Sequence, residues 1–65
     1  MRGVVDYLQV KTRGKSKYGF INGEDNHMYW FSLDHLKNLR VGDSVYFQGG
    51  KDDKGYIASQ VSMAD

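Results

Sequence analysis

Two aromatic rings stand two residues apart in Lys17-Tyr18-Gly19-Phe20-Ile21. On a strand, residues i and i+2 share a face, so Tyr18 and Phe20 point one way and Ile21 the other, with Gly19 adding no side chain of its own. Rings exposed on a rigid sheet are platforms on which unpaired bases stack. Four cations, Lys11, Arg13, Lys15 and Lys17, precede them, and no acid lies between Asp6 and Glu24. Rings beside cations suit a single-stranded nucleic acid, because each base offers a π-face and each phosphate a charge. The same residues also allow a plainer reading, in which the ring pair is ordinary core and the basic run a solvated loop.

Other chemistries find little support. His27 and His35 are isolated, whereas a metal site usually needs three or four ligands. There is no cysteine, hence neither a disulfide framework nor a thiolate metal site. No Ser/His/Asp arrangement or carboxylate pair can be placed, and the glycines match neither nucleotide-loop pattern. The expectation is a protein without catalytic activity, cofactor or metal. Glu24-Asp25 and Asp52-Asp53 read as solvated turns. No apolar run approaches the roughly 18 residues of a membrane span, and the N-terminus lacks the apolar core of a signal peptide. A complete cytoplasmic product with no membrane association is therefore expected. The net charge of +1 says little about partners. Its distribution says more, since Asp34, Asp43, Asp52 and Asp53 fall in the later half, away from the basic run.

Sixty-five residues make one domain, near the lower limit for folding alone. Five tyrosines, three phenylalanines, one tryptophan, eight glycines and no proline favour a small all-β domain of short strands and tight turns. The first strand runs over Gly3 to Val10, with Val5 and Tyr7 on one face and Val4, Asp6 and Leu8 on the other, unless a bulge redistributes them. Lys11 to Ser16 reads as a mobile connection. The ring-bearing strand follows over Lys17 to Asn22 and ends at Asn22-Gly23, a turn signal because both residues tolerate positive φ. A third strand covers His27 to Phe31. If Met28 and Trp30 face outward, His27 and Tyr29 face the core, and a slip of one residue exchanges the sets. Leu33, Leu36 and Leu39, spaced by three, suit a short helical turn over Ser32 to Arg40 that plugs a barrel end, with Ser32 or Asp34 as its cap.

After a turn at Val41-Gly42-Asp43, a fourth strand covers Ser44 to Gln48, with Val45 and Phe47 inward and Tyr46 outward. Gly49-Gly50 and Asp52 to Gly55 read as a hairpin loop. The last strand, Tyr56 to Val61, places Ile57, Ser59 and Val61 on one face and Tyr56, Ala58 and Gln60 on the other. Five short strands with a plug after the third imply a closed or nearly closed barrel, which removes exposed edges and lets a small chain share one interior.

The order of these features resembles the cold-shock domain. That family's first ribonucleoprotein motif reads K-G-[FY]-G-F-I, and Ser16-Lys17-Tyr18-Gly19-Phe20-Ile21 retains its last four positions. The second motif, V-F-V-H-F-S, falls on His27-Met28-Tyr29-Trp30-Phe31-Ser32, which retains the final pair. The opening G-x-V-K-W-F-N corresponds to Gly3-Val4-Val5-Asp6-Tyr7-Leu8-Gln9. L-x-x-G-x-x-V-x-F matches Leu39 through Phe47, and K-G-P-x-A-x-x-V matches Lys54 to Val61 with Tyr56 in place of proline. The connection before Tyr18 is longer than usual and basic, and Asp6 stands where the family carries a lysine.

The resemblance implies a single domain over 1–65, folded as a five-stranded antiparallel OB-fold barrel with a short helical turn after the third strand. It implies binding of single-stranded RNA or DNA, in the manner of an RNA chaperone or transcript regulator. Carried over residue by residue, the binding face holds Tyr7, Tyr18, Phe20, Met28, Trp30 and Phe31. Lys11, Arg13, Lys15 and Lys17 meet phosphates, and Tyr56 adds a ring at the rim. Tyr29 and Tyr46 are left as packing or rim residues. A monomer is expected. The rival is a protein-interaction module on the same barrel, with the aromatic patch as a protein or homodimer interface, since small barrels are reused for many purposes.

Overall fold

The computed structural model describes residues 1–9, 17–33 and 39–64. They form five strands: β1 (Arg2–Gln9), β2 (Tyr18–Gly23), β3 (Met28–Ser32), β4 (Ser44–Asp52) and β5 (Gly55–Met63). The strands close into a barrel in the order β1-β2-β3-β5-β4, with β4 returning to β1. An all-antiparallel barrel was expected, and the ring corrects it. Directions cannot alternate around a closed ring with an odd number of strands, so one neighbouring pair must be parallel. Here it is β3 and β5, which meet at Trp30↔Ile57.

The interior holds Val5, Ile21, Tyr29, Phe31, Leu33, Val45, Phe47 and Ala58, with Leu8, Leu39, Tyr56 and Val61 packed against them. Strand alternation supplies most of this. Ile21 lies opposite Val5 and Tyr29, while Val45 and Phe47 face inward from β4 as their spacing predicts. Leu33 and Leu39, two of the three spaced leucines, reach the core. Of the helical turn expected over Ser32 to Arg40, residues 34–38 lie outside the described residues, and the described ones, 32, 33, 39 and 40, form none.

Two bulges correct the expected faces. The β1–β2 register passes from Val5↔Ile21 to Tyr7↔Phe20, which makes Asp6 the extra residue. Val5 is therefore 1% exposed and Tyr7 44%, and they do not share a face. On β5 the register passes from Ser62 opposite Tyr46 to Ser59 opposite Gln48, with Gln60 at φ 51°. The insertion changes the parity of the strand, so Ala58 and Val61 both turn toward the core.

Two turns also move. Gly23 ends β2 rather than forming the turn with Asn22. The turn occupies Glu24 to Asn26, and the positive φ falls on Asn26 at 69°. Gly49 and Gly50, read as loop, lie within β4 opposite Ala58 and Ile57. The true loop is Asp53-Lys54. Asp52 Oδ1 shapes it by accepting from the Lys54 and Gly55 amides at 2.8 and 3.1 Å, and Gly55 takes φ 135° where a side chain would be strained.

Candidate nucleic-acid interface

The outward side chains of β1, β2, β3 and β5 line up across the barrel wall. Tyr7 pairs with Phe20, Phe20 with Trp30, and Trp30 with Ile57. Neighbouring strands lie about 4.8 Å apart, so this single row runs roughly 14 Å across four strands. The bulge at Asp6 puts Tyr7 into it, and Gly19 lets β1 approach β2 closely beneath the rings. An added Cβ at Gly19 would stand 2.5 Å from the Tyr7 carbonyl oxygen and 2.9 Å from the Phe31 ring. The residue between the two rings thus has no room for a side chain, because β1 and the core occupy the space behind it.

Tyr18 and Met28 flank the row on either side. Tyr18 lies 6.3 Å from Tyr7 and 6.0 Å from Phe20, edge-on to the latter. It is nearly parallel to Trp30, with centroids 6.3 Å apart and planes at 23°. Tyr7 and Phe20 are 6.1 Å apart, and the Tyr7 hydroxyl donates to Gln9 Oε1 at 2.8 Å. These separations hold the rings as a pavement of tilted and edge-on contacts. Tyr7, Met28 and Trp30 are exposed, while Tyr18 and Phe20 are half-buried.

Beside the row lies a cleft of about 670 Å³, between the β3 face and the β4–β5 hairpin. Phe20, Met28 and Trp30 form one side, and Tyr56 and Ile57 the other. Asp52 and Lys54 stand at its hairpin edge, so the wall carries charges of both signs.

The third-strand register left open by the sequence is thereby fixed. Met28 and Trp30 face out, and Tyr29 and Phe31 face in. Phe31, placed on the binding face by the resemblance, is 1% exposed and cannot offer a ring to a base. Its position opposite Gly19 on the inner side of the wall explains this. Tyr56 does stand at the rim, but its ring is already engaged. It stacks on His27 at 4.3 Å with planes at 21°, meets the Tyr29 ring edge at 5.3 Å, and has Lys51 Nζ 5.4 Å from its centroid.

Of the basic run, Lys17 is exposed just before β2. Lys11, Arg13 and Lys15 lie outside the described residues. The structure thus brings together Tyr7, Tyr18, Phe20, Met28 and Trp30, with Tyr56 across the cleft. Reading the sequence missed Ile57, which the parallel closure adds to the row, and His27. Alternation points His27 inward together with Tyr29, yet it precedes β3 at the mouth of the barrel and is exposed.

Electrostatics at this mouth centre on Asp25. Its Oδ2 accepts from the Tyr29 hydroxyl at 2.5 Å, and its Oδ1 from the His27 amide at 3.2 Å. The Tyr29 bond, more than the His27 contacts, holds the Asp25 carboxyl below its usual range. The same bond, aided by burial, pushes the Tyr29 phenol up to about 12. Among the described residues no group of three or more potential ligands could hold a metal ion. No family model, curated protein or solved structure matches the chain.

Proposed function

We propose that the chain is a module that binds single-stranded RNA or DNA, built as a divergent barrel of the cold-shock OB type. The observation that carries this reading is the cross-strand row Tyr7–Phe20–Trp30–Ile57, flanked by Tyr18 and Met28. The row gives successive bases ring faces and edges fixed on a rigid wall, and stacking on them is largely indifferent to base identity, because every base has a π-face. Lys17, with Lys11, Arg13 and Lys15, meets the phosphates. Such binding melts or prevents secondary structure in the strand, as an RNA chaperone or transcript regulator does. The module acts as a cytoplasmic monomer, without catalysis, metal or cofactor. One fold of this size suits a site of roughly 4–7 nucleotides.

A second reading is favoured by the carboxylates near the row. Asp6 adjoins Tyr7 in sequence and Asp52 stands at the cleft edge, where each repels phosphate. On that reading the patch is a protein or homodimer interface. Backbone amide shifts during titration with oligo-U and oligo-dT separate the two. Nucleic-acid binding moves Tyr7, Tyr18, Phe20, Met28 and Trp30 and leaves Val4 and Tyr46, outside the row, in place. Amides that stay still at high nucleotide concentration, or a dimer that buries Trp30, would defeat the proposal.

A further inference from the structure

A file of four rings leads from the core to the surface at the mouth of the barrel. Phe47 and Tyr29 are buried and 4.9 Å apart. Tyr29 meets half-buried Tyr56, and Tyr56 stacks on exposed His27. His27 is thus an exposed imidazole whose ring is already held by a neighbour anchored in the core. Tyr56 also lines the cleft, together with Met28, which follows His27 in the chain.

Resting on the nucleic-acid reading above, we propose that His27, backed by Tyr56, is a further contact for the bound strand, stacking on a base when neutral and adding a phosphate contact when protonated. The site takes a nucleotide that leaves the aromatic row past Met28. An imidazole changes charge between pH 5 and 8, so this contact makes binding tighter at the acid end. The backing ring matters because a side chain already held in place loses less freedom when the ligand arrives.

Charges of both signs surround His27: the Asp25 and Glu24 carboxylates on its own turn are anionic, and across the cleft Asp52 stands with Lys51 and Lys54, so the gain on protonation comes from adding one cation to this mixed field. On its own turn, the Asp25 carboxylate is occupied by the Tyr29 hydroxyl and the His27 amide. Glu24 is directed at β1, where its Oε2 accepts from the Arg2 amide at 2.8 Å. From the hairpin side, Tyr56 carries Lys51 over its ring, so an arriving phosphate finds Lys51 on the same aromatic support.

The test is anisotropy titration of a labelled oligo-U of about seven nucleotides at about pH 5.5 and about pH 7.5, on either side of the imidazole transition. Uridine carries no group that titrates in this window, so the ligand is constant. The native protein is expected to bind about three- to tenfold more tightly at the lower pH. Its slope of log K against log[salt] should steepen there by about 0.7, the signature of one more phosphate contact. His27→Gln should bring the affinity ratio close to one, although His35 remains. Equal native affinity at both pH values, or a ratio that survives in His27→Gln, would overturn the role of His27 and leave the nucleic-acid reading standing. No binding at either pH would overturn both.

Discussion

Phe20 and Phe31 sit on neighbouring strands and do different work. Phe20 lies on the outer wall in contact distance of Tyr7 and Tyr18, and Phe31 is sealed inside. Phe20→Ala should therefore leave the fold nearly intact and weaken oligonucleotide binding by about 1–3 kcal/mol, roughly 5- to 150-fold in Kd. Phe31→Ala should act in the opposite sense, costing about 3–5 kcal/mol of stability through the cavity it leaves. Urea unfolding followed by a titration of each folded variant separates the two. The sequence offers both residues as aromatics in motif-like positions, and only the register of β3 distinguishes them. That register depends on which of Tyr29 and Trp30 fills the barrel, which the pattern H-M-Y-W-F leaves undecided.

The Tyr29–Asp25 pair makes a prediction about pH at the same scale. Folding raises the Tyr29 phenol from 10.0 to about 12. Its protonated form thus adds stability that is fully present below pH 10 and is lost as the pH rises through the folded value. Folding lowers the Asp25 pKa from 3.8. That carboxylate adds stability above its unfolded pKa, and the contribution disappears as the pH falls through the lower folded value. Between these limits the pair is pH-indifferent. Urea midpoints measured from pH 9 to 12 should fall more steeply for the native protein than for Tyr29→Phe, which still carries the other four tyrosines. Parallel curves would contradict the pairing.

At the scale of elements, the strands were legible, and of their defects only the bulge on β1 was allowed for, through the imperfect alternation of Val4 to Leu8. Alternation and turn residues place all five strands within a few residues of where they form, apart from the far half of β4. Gly49-Gly50 reads as loop by composition, yet there the small residue makes room for the Tyr29 ring, which would stand 3.0 Å from a Cβ at Gly49. The bulges at Asp6 and Gln60 follow from how β1 and β5 bend around the barrel, and the one on β5 has no counterpart in the local pattern. The bulge at Asp6 matters most for the site, because it brings Tyr7 outward beside Phe20.

Gly19 tests that junction. An added methyl would press on the Tyr7 carbonyl, the Leu8 side chain and the Phe31 ring, all closer than 3.0 Å. Gly19→Ala should cost about 1–3 kcal/mol, since β1 or the core must shift to admit it. Gly50→Ala, whose nearest neighbour stands 3.9 Å away, should stay within about 0.5 kcal/mol of the native protein. Similar losses in the two variants would mean that β1 and β2 are not clamped together beneath the rings.

At the scale of the whole molecule, a closed barrel was legible because five short strands with one apolar side each have no better way to hide their edges. Its parallel seam was legible in principle, since five is odd. The seam then fixes a part of the site that composition cannot express. Trp30 faces Ile57 across β3 and β5, and the cleft opens beside them. Sequence patterns name the rings on β1, β2 and β3, but the pairing of His27 with Tyr56 joins the β2–β3 connection to the start of β5, far apart in the chain, and only closure brings them together. A net charge of +1 also shapes behaviour at this scale. With little long-range field to draw in a polyanion, salt sensitivity should come from local contacts. If three phosphates are engaged, log K against log[salt] should slope near about −2.

The most direct test of the central claim is the fluorescence of Trp30, the only tryptophan in the chain, during titration with short oligo-dT and oligo-U at two salt concentrations. Trp30 stands within the row, next to Phe20 on one side and Ile57 on the other. A strand stacked on the row should quench it saturably, with weaker binding at the higher salt and a large loss of affinity in Phe20→Ala. Fluorescence and backbone amide shifts that both stay unchanged at saturating nucleotide concentrations would contradict nucleic-acid binding and leave the aromatic wall as a surface for another protein.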